Sequence, residues 1–328
     1  MAPRIAPPDE ASLDEAAQRL RAGELVAFPT ETVYGLGALA LDPAAVARIF
    51  AAKGRPATNP VIVHVPGLDQ AAALVTLVPD EARRLADAFW PGPLTLVLPR
   101  RPEVPDIVTA GGPTVALRSP AHPVARALLA AVGAPLAAPS ANRSGEVSPT
   151  TAAHVAASLG DALALVLDGG PCAVGIESTV LDLSGPDPVI LRPGSVGRPA
   201  IEAVLGRPVL ARSAAPAGPG PLRSPGLLDR HYAPRARVAL VDRVDIEAMR
   251  ASLTASGLVV AVLALSGSPA EPTAGRRELP DNPDGYAHGL YDALHRLDES
   301  AEAIVIERPP ATEAWDAVHD RLRRAATP

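Results

Sequence analysis

Lysine is almost missing from this chain. Thirty residues are Lys or Arg, and Lys53 is the only lysine among them. Asparagine is nearly as rare, with Asn59, Asn142 and Asn282 its whole complement. Aromatic residues make up 3% of the 328, so cores have to be assembled from Ala, Val and Leu. Cys172 stands alone, which excludes an intramolecular disulfide and argues against a zinc site. No stretch of about 18 apolar residues is free of charge or proline, so no membrane span is predicted. The opening MAPRIAPPDE has no apolar signal region, so nothing in it points to secretion. A net charge of −6 argues against a protein that coats nucleic acid nonspecifically. These features together predict a reducing cytoplasm as the location.

What is plentiful is Ala, Pro, Gly, Arg and Val, a bias that looks like drift in a GC-rich genome. Under such drift an exposed lysine becomes arginine at little cost. A lysine that survives is either a leftover of chance or marks a place where a compact ammonium on a flexible stem matters and a planar guanidinium does not fit, and its neighbours have to decide between the two.

The length suggests two domains. Residues 1–207 alternate between helix-like and strand-like segments and read as one mixed α/β domain. Ser12-Leu13-Asp14-Glu15 reads as a capping box opening a helix that stops at Gly23. Asp42-Pro43 reads as an N-cap followed by an N1 proline, opening a helix that runs toward Lys53. Further helices are expected over 79–90, 122–132 and 150–159. Strands are expected at ELVAFP (24–29), VIVHV (61–65), LTLVLP (94–99), TVALR (114–118), LALVLD (163–168), STVLDL (178–183) and VILR (189–192). Residues 208–236 form a linker, because ARSAAPAGPGPLRSPG (211–226) has no period. In 237–328, VALVD, VVAVLAL and AIVIE read as buried parallel strands between helices near 245–255, 285–300 and 312–325. That predicts a small, three-layer, Rossmann-like βαβ domain.

Several familiar chemistries are absent. A P-loop needs G-K-[ST], and Lys53 follows Ala52. Gly35-Leu36-Gly37-Ala38-Leu39-Ala40 fits G-x-G-x-x-A but lacks the acidic residue about 20 positions on that would hold a ribose. The histidines make no H-E-x-x-H; His122, His154, His288, His295 and His319 read as surface or packing residues. His64 lies inside a predicted strand, where a satisfied core imidazole is the usual reading; its nearness in sequence to Lys53, Arg55 and Asn59 raises it as a site residue. Lys53 and Arg55 offer a mobile point charge and a rigid fork, a pair suited to polyphosphate. Asn59 suits a base or ribose. The polar run APSANRSGEVSPT (138–150) leaves a strand tip, where open α/β sheets bind ligands. Ser178 and Arg192 sit at other strand ends.

FPTETVYGLG (28–37), KGRPATNPVIVHV (53–65), FWPGPLTLVL (89–98), VALRSP (115–120), APSANRSG (138–145), GIESTV (175–180) and ILRPG (190–194), in this order, resemble the threonylcarbamoyl-AMP synthases, the YrdC-like family. Lys53/Arg55 with Ser140/Asn142 matches the family's Lys-x-Arg and Ser-x-Asn signature. SPGLLDRHYAP (224–234) and the α/β unit after it resemble the family's long, two-domain form. Leu227-Leu228-Asp229 departs from it, standing where a more basic and aromatic stretch is expected. The resemblance implies a YrdC-like mixed twisted sheet with helices and a ligand cavity, plus the smaller C-terminal domain. It implies condensation of L-threonine, bicarbonate (or CO2) and ATP to threonylcarbamoyl-AMP and pyrophosphate. A separate tRNA threonylcarbamoyl transferase then uses the product to modify the adenosine beside the anticodon. No stable tRNA binding by this chain itself is implied.

By the same resemblance Lys53, Arg55, Ser140 and Asn142 carry catalysis. ATP falls to Lys53, Arg55, Asn59, Thr114, Ser140, Asn142, Ser148, Arg192 and Tyr232. L-threonine falls to Thr32, His64, Arg118, Ala138 and Ser178, with Arg118 on the carboxylate. Tyr232 belongs to a linker that folds over the site as a lid; the plainer reading is a spacer. Magnesium arrives with ATP. Glu177 is the one protein carboxylate considered for it, beside a structural role. Two rival functions are an RNA-binding module with a basic groove and a related carbamoyl-adenylate-forming enzyme with another acceptor. Scattered arginines and few aromatics fit the RNA module poorly.

Overall fold

In the computed structural model of the protein, residues 3–211, 231–267 and 275–327 are described. They divide into two units. The first takes residues 3–144, 149–173 and 177–211; the second takes 145–148, 174–176 and those from 231 onward. Most of the segment read as linker, including Leu227, Leu228 and Asp229, lies outside the described residues.

Among the described residues, the first unit is built on an eleven-stranded mixed sheet. Its order is Arg4–Ala6, Leu165–Leu167, Val26–Phe28, Gly35–Leu39, Leu136–Ala137, Ile62–His64, Thr114–Arg118, Leu94–Pro99, Thr179–Asp182, Val189–Arg192 and Leu210–Ala211. The central registers matter most. Ile62–His64 runs parallel to Thr114–Arg118 and sets His64 opposite Arg118. Leu94–Pro99 pairs antiparallel with Thr114–Arg118, Val97 opposite Ala116. On its other side it runs parallel to Thr179–Asp182, Thr95 opposite Val180.

Side chains alternate across a strand, so these registers sort residues by face. One face gives Val63, Leu96, Leu98, Val115, Leu117 and Leu181 to the large core. The other holds a small apolar cluster of Ile62, Val97, Ala116, Val180 and Leu191. Strand parity puts Thr95, Thr114, Arg118 and His64 on that second face. Burial on both faces is why LTLVLP and TVALR read as apolar runs rather than alternations.

The helix Pro43–Lys53 follows the expected start. Asp42 accepts hydrogen bonds from the backbone N–H groups of Ala44 and Ala45, and Gly54 closes the helix in the left-handed region at φ 60°. Its buried side is Ala45, Val46, Ile49 and Lys53, so packing of that side carries Lys53 inward. The first helix corrects the sequence reading. It spans Glu10–Arg21, and its N-cap is Asp9, which accepts from the Ser12 N–H at 2.8 Å. Ser12 is inside the first turn rather than before it, because aspartate one turn earlier is an equally good cap. The glycine-rich stretch is a strand, Gly35–Leu39, paired antiparallel with Val26–Phe28. A Cβ on Gly37 would come within 2.8 Å of Phe28 Cε1, so this glycine makes room for a ring, not a phosphate.

The second unit has a four-stranded parallel sheet, ordered Arg237–Val241, Ala303–Glu307, Val260–Leu265 and Arg276–Leu279. Helices Ile246–Ala255, Pro283–Asp298 and Asp316–Ala325 match the expected ones. The fourth strand, RREL, was not expected; its charged residues hide the pattern. In the last helix Arg321, Arg323 and Arg324 reach the buried carboxylate of Asp320 at 3.0, 2.9 and 3.1 Å. Burial works to raise the Asp320 pKa, and the Arg321 and Arg324 charges outweigh it, leaving the carboxyl below its usual range.

Candidate active site

Lys53 and the Ser-x-Asn segment meet. The Lys53 ammonium donates to the backbone carbonyls of Ser140 and Asn142, and the Ser144 N–H donates to the Lys53 carbonyl at 2.8 Å. The segment is itself held against the glycine strand. Leu36 N–H donates to the Pro139 carbonyl and Ala141 N–H to the Tyr34 carbonyl, both at 2.8 Å. Lys53 is buried, with its head between two carbonyls. A guanidinium is broader and planar, so this setting by itself selects lysine.

Arg55 closes its own turn. Its Nε donates to the Asn59 carbonyl at 2.9 Å, and Nη2 donates to Asn59 Oδ1 at 2.8 Å and to the Pro60 carbonyl. Asn59 is fully buried, and its Nδ2 has no hydrogen-bond acceptor among the described residues. A buried amide donor without an acceptor is costly, which suits a group that completes its bonding on a ligand.

Arg118 is the hub of the next cluster. Nη1 donates to Thr32 Oγ1 at 2.9 Å and Nε to the Gly92 carbonyl at 3.2 Å. Nη2 lies 2.6 Å from Glu31 Oε1, an ion pair off the hydrogen-bond axis. Glu31 Oε2 accepts from the Ala121 N–H at 3.0 Å. Burial would raise the Glu31 pKa; Arg118 outweighs it and holds the carboxyl below its usual range. His64, beside Arg118 in register, is buried and meets the Phe28 ring edge-on at 6.2 Å. Burial first, then the Arg118 charge, push its pKa well below the ordinary imidazole value. His64 is therefore a neutral hydrogen-bonding group at neutral pH. The Cys172 thiol is pushed up to about 12, by burial and then by Glu31, so it is no nucleophile.

Ser178 and Arg192 form the third cluster. Arg192 donates to the Ser178 carbonyl through Nε at 3.1 Å and Nη2 at 3.0 Å, and Nη2 also reaches Ser178 Oγ at 3.2 Å. Close backbone contact makes this possible. A Cβ on Gly194 would lie 2.3 Å from Thr179 N and 2.6 Å from Ser178 C, so only glycine fits there. Thr95 Oγ1 lies 2.7 Å from Ser178 Oγ.

Thr114 begins the strand that Arg118 ends. Four residues of strand separate the two by about 13 Å along the same face. Ala138 is buried, and its N–H donates to the Ile62 carbonyl at 2.9 Å, beside His64. Glu177 is buried. Ser148 and Tyr232 belong to the second unit. There the Ser148 carbonyl lies 3.1 Å from His295 Nε2. Tyr232 sits at φ 61°, with its ring stacked on Tyr291 at 5.8 Å and under Arg321 at 5.3 Å.

Sequence reasoning passed over Glu31 and Thr95. Each carried a signal: Glu31 is a lone acid between two threonines in a matched motif, and Thr95 is the one hydroxyl in an otherwise apolar strand.

The fold and these clusters define a mixed α/β protein that gathers buried cations and hydroxyls on one face of its larger sheet. Residues 18–194 match the Sua5–YciO–YrdC family model, described as telomere recombination. Residues 196–327 match the model for the threonylcarbamoyl-AMP synthase C-terminal domain. The threonylcarbamoyl-AMP synthase of Pyrococcus abyssi is 42% identical over 318 residues, covering 95% of this chain and 93% of that one. That of Bacillus subtilis is 42% identical over 328 residues, covering 97% and 94%. The crystal structure of P. abyssi Sua5 complexed with L-threonine superposes with a TM-score of 0.92, at 42% identity, over 97% of this chain and 95% of that one. The chain belongs to the threonylcarbamoyl-AMP synthase family, in its two-domain form.

Proposed function

We propose that the chain condenses L-threonine, bicarbonate and ATP to threonylcarbamoyl-AMP, with release of pyrophosphate. The observation that carries this reading is the sheet face on which Arg118, His64, Ser178 and Arg192 come together. It supplies a fork for a carboxylate, neutral polar groups and a cation for phosphate. The L-threonine complex of the P. abyssi relative supports the amino-acid half.

In this reading the ammonium of threonine and bicarbonate give a carbamate, water and a proton. A carbamate oxygen then attacks the α-phosphorus, the bond to the β-phosphate oxygen breaks, and pyrophosphate departs. Arg118 holds the threonine carboxylate. Lys53, Arg55 and Arg192 face the phosphates, with Asn59, Thr114, Ser140 and Asn142 around the nucleotide. The step is carried by positioning and charge stabilisation, which require no protein nucleophile. His64 contributes a neutral hydrogen bond rather than charge, since a low-pKa imidazole is a poor acceptor for an ammonium proton. Assigning Ser148 and Tyr232 to the nucleotide rests on the sequence resemblance alone.

Magnesium accompanies ATP. Among the described residues no group of three His, Cys, Asp or Glu side chains could hold a metal ion. Magnesium takes one or two carboxylates and keeps several waters, so this reading assigns the ion to the triphosphate. Among the described residues no helix is long and apolar enough to cross a membrane. A cytoplasmic location and a downstream tRNA-modifying transferase complete the proposal.

The experiment is to mix the protein with ATP, bicarbonate, L-threonine and magnesium. Mass spectrometry should find threonylcarbamoyl-AMP, and pyrophosphate release should need threonine and bicarbonate together. Equal release without either one would overturn the reading.

A further inference from the structure

We infer that Thr95 is a specificity-determining residue, which acts through Ser178 by forcing its hydroxyl to be a donor toward the amino-acid substrate. The inference rests on the proposed synthase reading and concerns how the site recognises the threonine side chain.

A count of protons and lone pairs carries it. A hydroxyl has one proton and two lone pairs. Arg192 Nη2 is a donor with no acceptor capacity, so at 3.2 Å Ser178 Oγ accepts from it. Thr95 Oγ1 is 2.7 Å from Ser178 Oγ, and Thr95 is completely buried in its strand. Its hydroxyl has Ser178 as its hydrogen-bond partner, so the proton is satisfied by pointing at Ser178 Oγ. Both Ser178 lone pairs are then filled, one by Arg192 and one by Thr95. The Ser178 proton is left to donate into the site.

Threonine has three polar groups to meet that proton. Its carboxylate belongs to Arg118. Its ammonium has no lone pair, and once deprotonated the amine needs its lone pair to form the carbamate bond. The remaining acceptor is the β-hydroxyl oxygen. An amino acid of the same shape without that oxygen, L-valine, leaves the buried Ser178 proton unmatched. Sites built to bond a substrate hydroxyl reject analogues that lack it far more strongly than apolar pockets reject a change of shape. The Thr95 methyl and hydroxyl are close in shape to the two methyls of valine. Thr95→Val therefore deletes the proton that fills the second lone pair, with little loss of packing. Ser178 then keeps a free lone pair and can accept as well as donate, so its preference for an acceptor relaxes.

The test measures kcat/KM for L-threonine and L-valine, by pyrophosphate release, in wild type, Thr95→Val and Thr95→Ser. Calorimetric binding of each amino acid is run beside the kinetics. Thr95→Val should lower the threonine-to-valine preference at least about tenfold, mostly through the threonine KM. Thr95→Ser, which restores the hydroxyl, should recover most of it. A preference unchanged in Thr95→Val, by kinetics and by binding, would overturn the assignment. So would equal loss in Thr95→Val and Thr95→Ser, which would mark a packing effect only. If wild type releases no pyrophosphate in a threonine-dependent way and binds no threonine, the synthase reading fails instead, a result separate from any of these.

Discussion

Buried cations are handled differently in the two units. In the second, Arg321 and Arg324 turn to a carboxylate that Arg323 shares, and Asp320 cancels charge where it is buried. In the first, Lys53 donates to two carbonyls, Arg55 to carbonyls and an amide oxygen, and Arg192 to a carbonyl and a hydroxyl. A neutral oxygen orients a cation without cancelling its charge; a carboxylate does both. Among these bonds, neutral oxygens orient the head groups of the first unit, whereas a carboxylate both orients and neutralises those of the second. Arg118 stands between them, oriented by Thr32 and Gly92 and partly balanced by Glu31.

The contrast breaks most readily at Asp320. Asp320→Ala removes the buried carboxylate that three arginines share, and breaking a buried ion pair costs about 3–5 kcal/mol. Denaturant unfolding, with hydrogen exchange read over 303–325, should show the loss in the second unit. An unchanged stability would remove the structural half of the comparison. The pH dependence has a definite sign. Because the Asp320 pKa is lowered on folding, its contribution is full above the ordinary carboxylate pKa and is lost as pH falls through the lowered value.

Next in size is Arg118→Ala. Unpairing a buried charge partner costs about 2–5 kcal/mol, and here the loss should fall on the threonine KM far more than on that for ATP. A threonine KM that does not move would transfer Arg118 to the structural group, as the partner of Glu31. Lys53→Arg keeps the charge and changes the shape. A rate lower by about 100-fold, or roughly 2.7 kcal/mol of transition-state stabilisation, is expected with a smaller loss of ATP affinity. Melting temperatures belong beside the kinetics, since a guanidinium between two carbonyls also strains the fold. Wild-type kcat and ATP affinity in a normally folded variant would make the lone lysine an accident of composition.

The smallest effect concerns His64. Its pKa is depressed in the folded protein, so the imidazole is neutral there and protonated first in the unfolded chain. Stability should be full above the ordinary histidine pKa and fall as pH drops below it, by up to about 1.4 kcal/mol per pH unit. His64→Gln should flatten that part of the curve. The same slope in both proteins would mean that other histidines carry it.

Much of this was legible in the sequence. Asp42-Pro43 and Gly54 announce a helix that ends on Lys53, and the apolar runs announce strands. Strand ends then point to Arg118, Ser178 and Arg192. What stayed hidden depends on pairing across strands. Nothing local in LTLVLP says that Thr95 faces Ser178 about 80 residues away, because register is a property of the assembled sheet. Glu31 was hidden for a related reason, since its partner Arg118 is reached only through the fold. RREL escaped because a strand in a small sheet can carry charges on exposed positions.

Gly194 has a consequence for anyone who would redesign this protein. With no room for a single carbon between its backbone and that of Ser178 and Thr179, the segments GIESTV and ILRPG behave as one part. The residue assigned to the amino acid and the residue assigned to the phosphates share a hydrogen bond inside that part. A library that varies position 178 to accept a new amino acid would also vary the anchorage of Arg192. Amino-acid choice and nucleotide affinity should then drift together among its variants, and selection for one would have to be accompanied by repair of the other.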